Sequence, residues 1–104
     1  MTRLRVRLTR SARIQARAVE SWWREHRPLS PDLFSDELAE ALELLCLHPR
    51  AGTTYESRTV PDARRLLLRS SRYHVYYRLQ GDILLVMSVW SAIRGAGPDL
   101  KRLR

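Results

Sequence analysis

The 104-residue sequence holds one cysteine, one phenylalanine and four glycines, and its only lysine is Lys101. A single thiol, Cys46, excludes an intrachain disulfide and fits a reducing compartment. No stretch approaches the roughly 20 apolar residues that span a bilayer. The opening MTRLRVRLTR has no apolar run of the signal-peptide kind, so a bacterial-type cytoplasmic protein that avoids membranes is expected. Metal-ligand spacing is missing as well. His26, His48 and His74 fall in separate segments and Cys46 lies within a helical pattern, so no metal and no other cofactor is expected. RGAGP follows a strand-like run, but no helix opens after it, which excludes a nucleotide-binding glycine fingerprint. With neither repeats nor a long linker, residues 1–104 read as one domain with one modest core.

What the chain has in excess is positive charge: 19 Lys and Arg against 11 Asp and Glu, a formal net charge of +8. Such an excess favours a polyanionic partner, an acidic protein, or both, and does not bear on fold. The apolar share of 44% is that of an ordinary folded protein.

Hydrophobic periodicity divides the chain. From Thr2 to Thr9, Leu4, Val6 and Leu8 alternate with Arg3, Arg5 and Arg7, which predicts a half-buried strand. Its arginines form either a solvated face that resists edge pairing or a contact surface for an acidic partner. After Thr9 or Ser11, each a plausible N-cap, the period becomes helical. Ala12, Ala16, Val19 and Trp23 form an apolar stripe with Trp22 on its flank, Ile14 sits apart from it, and Arg13, Arg17, Glu20 and Arg24 form a polar ridge. The helix should end near His26. Ser30-Pro31 should open a second helix, a capping hydroxyl followed by proline at the first helical position. Phe34, Leu38, Ala41 and Leu45 are its buried stripe, Asp32, Asp36, Glu40 and Glu43 its exposed side, and His48-Pro49 its end. Residues 50–62 read as a loop. Three strand-like runs follow, ARRLLLR, YHVYYRL and ILLVMSVW, spanning about residues 63–90 and joined by the short SSR and QGD. Consecutive hairpins are implied, with the last, doubly apolar run interior to the sheet. The expectation is an α+β domain of order β-α-α-β-β-β: an N-terminal strand, an antiparallel helical hairpin over about residues 11–48, a three-stranded antiparallel meander, and a flexible tail over 91–104.

The acidic ridge of the second helix excludes it as a DNA-reading helix, since like charge meets phosphate. Regular alternation would place His74, Tyr76 and Arg78 on one face, with Arg64 or Arg65 across the hairpin. Such a set could supply the base, acid and cation that 2′-hydroxyl attack on RNA requires. The same aromatics are also ordinary packing residues of a sheet.

An Arg- and Leu-rich strand, a helix ending WWREHRP, LFSDELAEALELLCLHP, a Gly-containing loop, ARRLLLRSSRYHVYYRL and ILLVMSVWSAIRGAGPDL follow one another along nearly the whole chain. This ordered set resembles the RelE/ParE superfamily of toxins from type II toxin–antitoxin systems, closest to its ParE-like branch. The resemblance implies a compact antiparallel sheet with an N-terminal helical hairpin. It also implies a hetero-oligomer with a cognate antitoxin whose acidic, largely disordered segment folds along the toxin. ParE-like members poison DNA gyrase by binding, and this is the leading implication. RelE-like members cleave messenger RNA on the ribosome; here that would rest on Arg65, which matches the arginine of the second strand, the first of the meander, on Arg94 after the last strand, and on His74 or Tyr76. A third implication is an inactive homologue acting only as antitoxin partner and co-repressor. Relatives commonly read Trp-His before the terminal arginine, whereas this chain has Trp90-Ser91 and no tyrosine or histidine beyond, so one candidate acid or base is absent. The expected target-binding set is Arg65, Arg78, Arg94, Lys101 and Arg102, with the glycines around Arg94 permitting close approach. The expected antitoxin-binding set is Arg3, Arg5, Arg7, Ile14 and Trp22.

Overall fold

The computed structural model describes residues 3–93, 97, 98 and 100. Its elements are β1 (Arg5–Leu8), α1 (Arg10–His26), α2 (Leu33–Leu47), β2 (Thr53–Thr54), β3 (Arg64–Leu68), β4 (Tyr73–Gln80) and β5 (Ile83–Ser91). The strands form one sheet in the order β1-β5-β4-β3-β2. The helical hairpin, the interior position of the last apolar strand and the C-terminal meander all match the sequence reading.

Three local expectations are corrected. The sheet is mixed rather than antiparallel throughout, because β1 runs parallel to β5 with Arg5 opposite Ile83 and Leu8 opposite Val86. A parallel pair needs a long crossover, and here the hairpin and the rest of the meander intervene. The second helix begins at Leu33 rather than Pro31. The Ser30 carbonyl accepts from the Leu33 N–H at 3.3 Å in a turn, and the first helical bond runs from the Asp36 N–H to the Asp32 carbonyl. Ser30 therefore closes the interhelical turn instead of capping α2. Within the segment read as loop, Thr53 and Thr54 pair with Arg65 and Arg64 as a two-residue strand.

Thr9 is the N-cap of α1, its hydroxyl oxygen accepting from the Ala12 N–H at 3.1 Å. The same hydroxyl donates to the Met87 carbonyl at 3.1 Å. That second bond follows from a mismatch in length. Tyr76 faces Ser88 but Tyr77 faces Val86, so β5 carries one extra residue, Met87, as a bulge. The pairing of β1 with β5 stops at Val86, leaving the next polar groups of β5 without a neighbouring strand. Helix α1 supplies the substitute. Thr9 takes the Met87 carbonyl, and Gln15 Oε1 accepts from the Ser88 hydroxyl at 3.0 Å and the Val89 N–H at 2.9 Å.

The helices cover one face of the sheet. Ala12, Ala16, Trp23, Phe34, Leu38 and Ala41 pack there against Leu68, Val75, Val86 and Val89. Leu45, Tyr77 and Leu84 continue this core toward Leu4. The opposite face is covered too. Tyr76, Leu85 and Met87 pack with Ala63 and Leu100, flanked by Tyr55, Val60 and Trp90. Leu100, read from sequence as part of a flexible tail, is only 4% exposed. Its leucine side chain supplies apolar cover that the helices cannot give to this face.

Candidate functional site

Alternation along β4 sends Val75 and Tyr77 toward the helices and His74, Tyr76 and Arg78 to the opposite face, as the sequence implied. Register places Arg65 opposite Tyr76 and Leu67 opposite His74. Arg65 Nη1 donates to the Tyr76 hydroxyl at 3.4 Å, and its guanidinium carbon lies 5.4 Å from the centre of the Tyr55 ring. Tyr55 and Tyr76 meet edge to face at 4.8 Å, and His74 meets Tyr76 at 5.9 Å. A side chain on Gly97 would place its Cβ 2.6 Å from the Tyr55 hydroxyl, so the C-terminal segment approaches as closely as glycine allows. Burial, and then the charge of Arg65, hold the His74 imidazole below its ordinary value of 6.5.

Three of the four residues considered for RNA cleavage are thus brought together: Arg65, His74 and Tyr76. Arg94 lies outside the described residues, as do Lys101 and Arg102 of the expected target-binding set. Tyr76 is 2% exposed. Its hydroxyl accepts from Arg65 and its ring meets that of Tyr55. Arg64, the alternative to Arg65, points to the other side; its Nη1 donates to the Gly52 carbonyl at 2.8 Å.

The expected antitoxin surface is divided. Arg3 pairs with Glu43 at 2.7 Å and Arg5 with Asp82 at 3.5 Å, while Arg7 is exposed. Ile14 is 57% exposed and Trp22 41%. Trp22 stacks on His26 with ring centres 4.7 Å apart, and the Arg27 guanidinium lies 5.0 Å from its ring. The basic ridge read on the first helix and the acidic side read on the second are both exposed. Exposed Arg10, Arg13, Arg17 and Arg24 make α1 basic, while Asp36, Glu40 and Glu43 make α2 acidic, so charge divides between the two helices.

Sequence reasoning missed Gln15, Glu37 and Tyr77. Glu37 Oε1 accepts from the Ser71 N–H at 2.9 Å and the Ser71 hydroxyl at 2.7 Å, and Oε2 accepts from the Ser70 N–H at 2.8 Å. This carboxylate ties α2 to the β3–β4 turn. Partial burial favours its neutral form, but the hydrogen bonds outweigh burial and hold it below the ordinary 4.5. The Tyr77 hydroxyl donates to the Pro49 carbonyl at 2.7 Å and accepts from the Gly52 N–H at 3.0 Å, fastening the segment after α2 to the sheet.

Among the described residues no group of His, Cys, Asp and Glu is arranged to hold a metal ion. No helix among them is long and apolar enough to cross a membrane. A small α+β fold, with a helical hairpin on one face of a five-stranded mixed sheet, is the class that this topology defines. A solved structure from the chromosomal ParDE toxin–antitoxin system of P. aeruginosa superposes with a TM-score of 0.69 over 85% of this chain and 95% of that one, at 18% identity. No curated protein matches in sequence. Residues 6–94 match the family model for the ParE toxin of type II toxin–antitoxin systems, and the chain belongs to that family.

Proposed function

We propose that this type II toxin inhibits growth by binding DNA gyrase, without chemistry of its own, and is neutralised by a cognate acidic antitoxin in the cytoplasm. The observation that supports the binding mode over RNA cleavage is the burial of Tyr76. A general acid or base must lie within hydrogen-bond reach of the proton that it moves. At 2% exposure, under Tyr55 and beside Leu100, the Tyr76 phenol is closed to a ribose 2′-hydroxyl. His74 and Arg65 remain at the surface, and they supply one titratable group and one cation rather than a complete acid–base pair. The antitoxin reading rests on the net charge of +8 and on exposed Arg7, Ile14 and Trp22 around α1 and β1. An acidic disordered segment gains both encounter rate and complementarity from such a surface.

Adding the purified protein to a gyrase supercoiling reaction tests this directly. Loss of supercoiling with accumulation of cleaved DNA, reversed by antitoxin, is the expected result. Intact gyrase activity together with cut transcripts on translating ribosomes would replace this reading with the endonuclease. Inertness in both assays, with antitoxin binding retained, would leave the co-repressor role.

A further inference from the structure

One margin of the sheet is β1, and the other is the two-residue β2, so β1 is the longer edge. Its main chain has two sides. The Arg5 N–H donates to the Asp82 carbonyl and the Thr9 N–H to the Val86 carbonyl, each at 3.0 Å. Successive residues of a strand turn their main-chain groups to opposite sides, so Arg5, Arg7 and Thr9 address β5 while Leu4, Val6 and Leu8 address the outside. The outward Leu4 N–H is taken by the Cys46 carbonyl at 3.2 Å, which closes the beginning of the edge with the end of α2. Beyond that point the edge is open: among the described residues no hydrogen bond reaches the outward N–H or carbonyl of Val6. Val6 is 38% exposed, and Arg5 and Arg7 on either side of it are exposed as well. Val6 lies level with Leu84, on the face that the helices cover, whereas Arg5 and Arg7 lie level with Ile83 and Leu85 on the opposite face.

We propose that this edge takes an extended acidic peptide segment as a sixth strand, antiparallel to β1. The residue opposite Val6 exchanges both main-chain hydrogen bonds with it, and the residues before and after set carboxylates against Arg7 and Arg5. An alternation of acidic and apolar residues meets both demands, because the apolar side chains then share the face of Val6. The Arg5–Asp82 pair, 3.5 Å apart with both side chains mostly in water, yields readily to a closer carboxylate. A second copy of this chain does not fit. Antiparallel pairing about Val6 would set Arg5 of each copy against Arg7 of the other, and like charges directly opposite destabilise a sheet. The proposal names how the acidic segment of the antitoxin reading is held, and it rests on that reading.

The test titrates the whole protein with a blocked hexapeptide of alternating aspartate and valine, following hydrogen exchange at single amides by NMR. Near saturation the peptide should slow exchange at the Val6 and Leu8 N–H about tenfold or more, and change that of Arg5 and Arg7, already bonded to β5, by less than about twofold. Val6→Pro removes only an outward donor, at a position where an edge strand tolerates proline, and should weaken peptide binding about tenfold or more. Arg7→Glu leaves the main chain untouched and should weaken binding about fivefold or more. Absence of saturation, unchanged exchange at Val6 and Leu8, or undiminished binding by the Arg7→Glu variant would overturn strand addition. Protection of the same two amides that grows with protein concentration alone would overturn it too, by assigning the edge to a second copy. The antitoxin reading is tested separately, by reversal of the gyrase effect, so the two can fail independently.

Discussion

Replacing Gln15 with methionine nearly preserves the length and volume of the side chain and removes only its amide. The Gln15 Oε1 serves Ser88 and Val89, which are 0% and 2% exposed, at a stretch of β5 that β1 no longer accompanies. The Val89 N–H is then left with only such water as enters the cleft that Gln15 and Val89 line beside α1. Stranding the Val89 N–H costs about 1–3 kcal/mol. The Ser88 hydroxyl can rotate toward another acceptor, so its share is smaller, about 1 kcal/mol. The variant should therefore lose about 2–4 kcal/mol, equivalent to lowering Tm by roughly 10–25 °C in a domain of this size. Urea and thermal unfolding, followed by circular dichroism, measure this. Adding Ser88→Ala to the variant should cost less than the same change in the parent protein, because the two groups share one bond. A loss below about 0.5 kcal/mol with an unchanged urea slope would show that α1 does not serve as the surrogate neighbour of β5.

Gly52→Ala would place a Cβ 2.5 Å from the Tyr77 hydroxyl and 2.8 Å from the Arg65 carbonyl, so the loop must move. A loss of about 2–4 kcal/mol in thermal unfolding is expected, and an unchanged Tm would refute the close approach. Glu37 has a depressed folded value, so its stabilisation is complete above 4.5 and disappears as pH falls through the lower folded value. Glu37→Gln should therefore be less stable at neutral pH and lose less on acidification, and parallel stability–pH curves for the two proteins would contradict this. His74 should titrate below 6.5 by NMR and move upward, though not fully, in Arg65→Gln, because burial remains when the charge goes. Its depressed value likewise supports the fold at higher pH, with that support lost as pH falls below 6.5. A midpoint at or above 6.5 in the parent would refute the surroundings assigned to His74.

Periodicity was sufficient for α1 and α2 because their buried stripes are continuous, from Ala12 to Trp23 and from Phe34 to Leu45. It also gave the shared face of His74 and Tyr76, since β4 alternates without interruption. The bulge at Met87 left no mark, because β5 is apolar on both faces and an extra residue changes nothing in its pattern. Thr53–Thr54 was invisible for a different reason: two residues cannot display a period. Gln15 and Glu37 did carry a signal. Each occupies the third position after the first residue of its helix stripe, Ala12 and Phe34, in a slot where an apolar side chain is the rule. A polar group there must bond across the interface or be lost to it. Parallel pairing of β1 with β5 depends on contacts from opposite ends of the chain, which no local pattern records.

Charge distribution follows from the same packing and bears on how any acidic partner approaches. The sheet takes the apolar stripe of each helix, so the polar ridge of each must face water, basic on α1 and acidic on α2. Packed helices lie about 8–10 Å apart, close to the screening length of about 8 Å at physiological salt. Each ridge therefore keeps its own field near the surface instead of being cancelled by its neighbour. A negatively charged segment is drawn to α1 and to the exposed Arg7 of β1, and is repelled from Asp36 and Glu40, which have no ion-pair partner among the described residues. Ile14 and Trp22, both more than a third exposed, lie on the attracting helix. Apolar anchors and long-range attraction thus coincide on α1, and the opposing field of α2 fixes the side from which an acidic chain can enter.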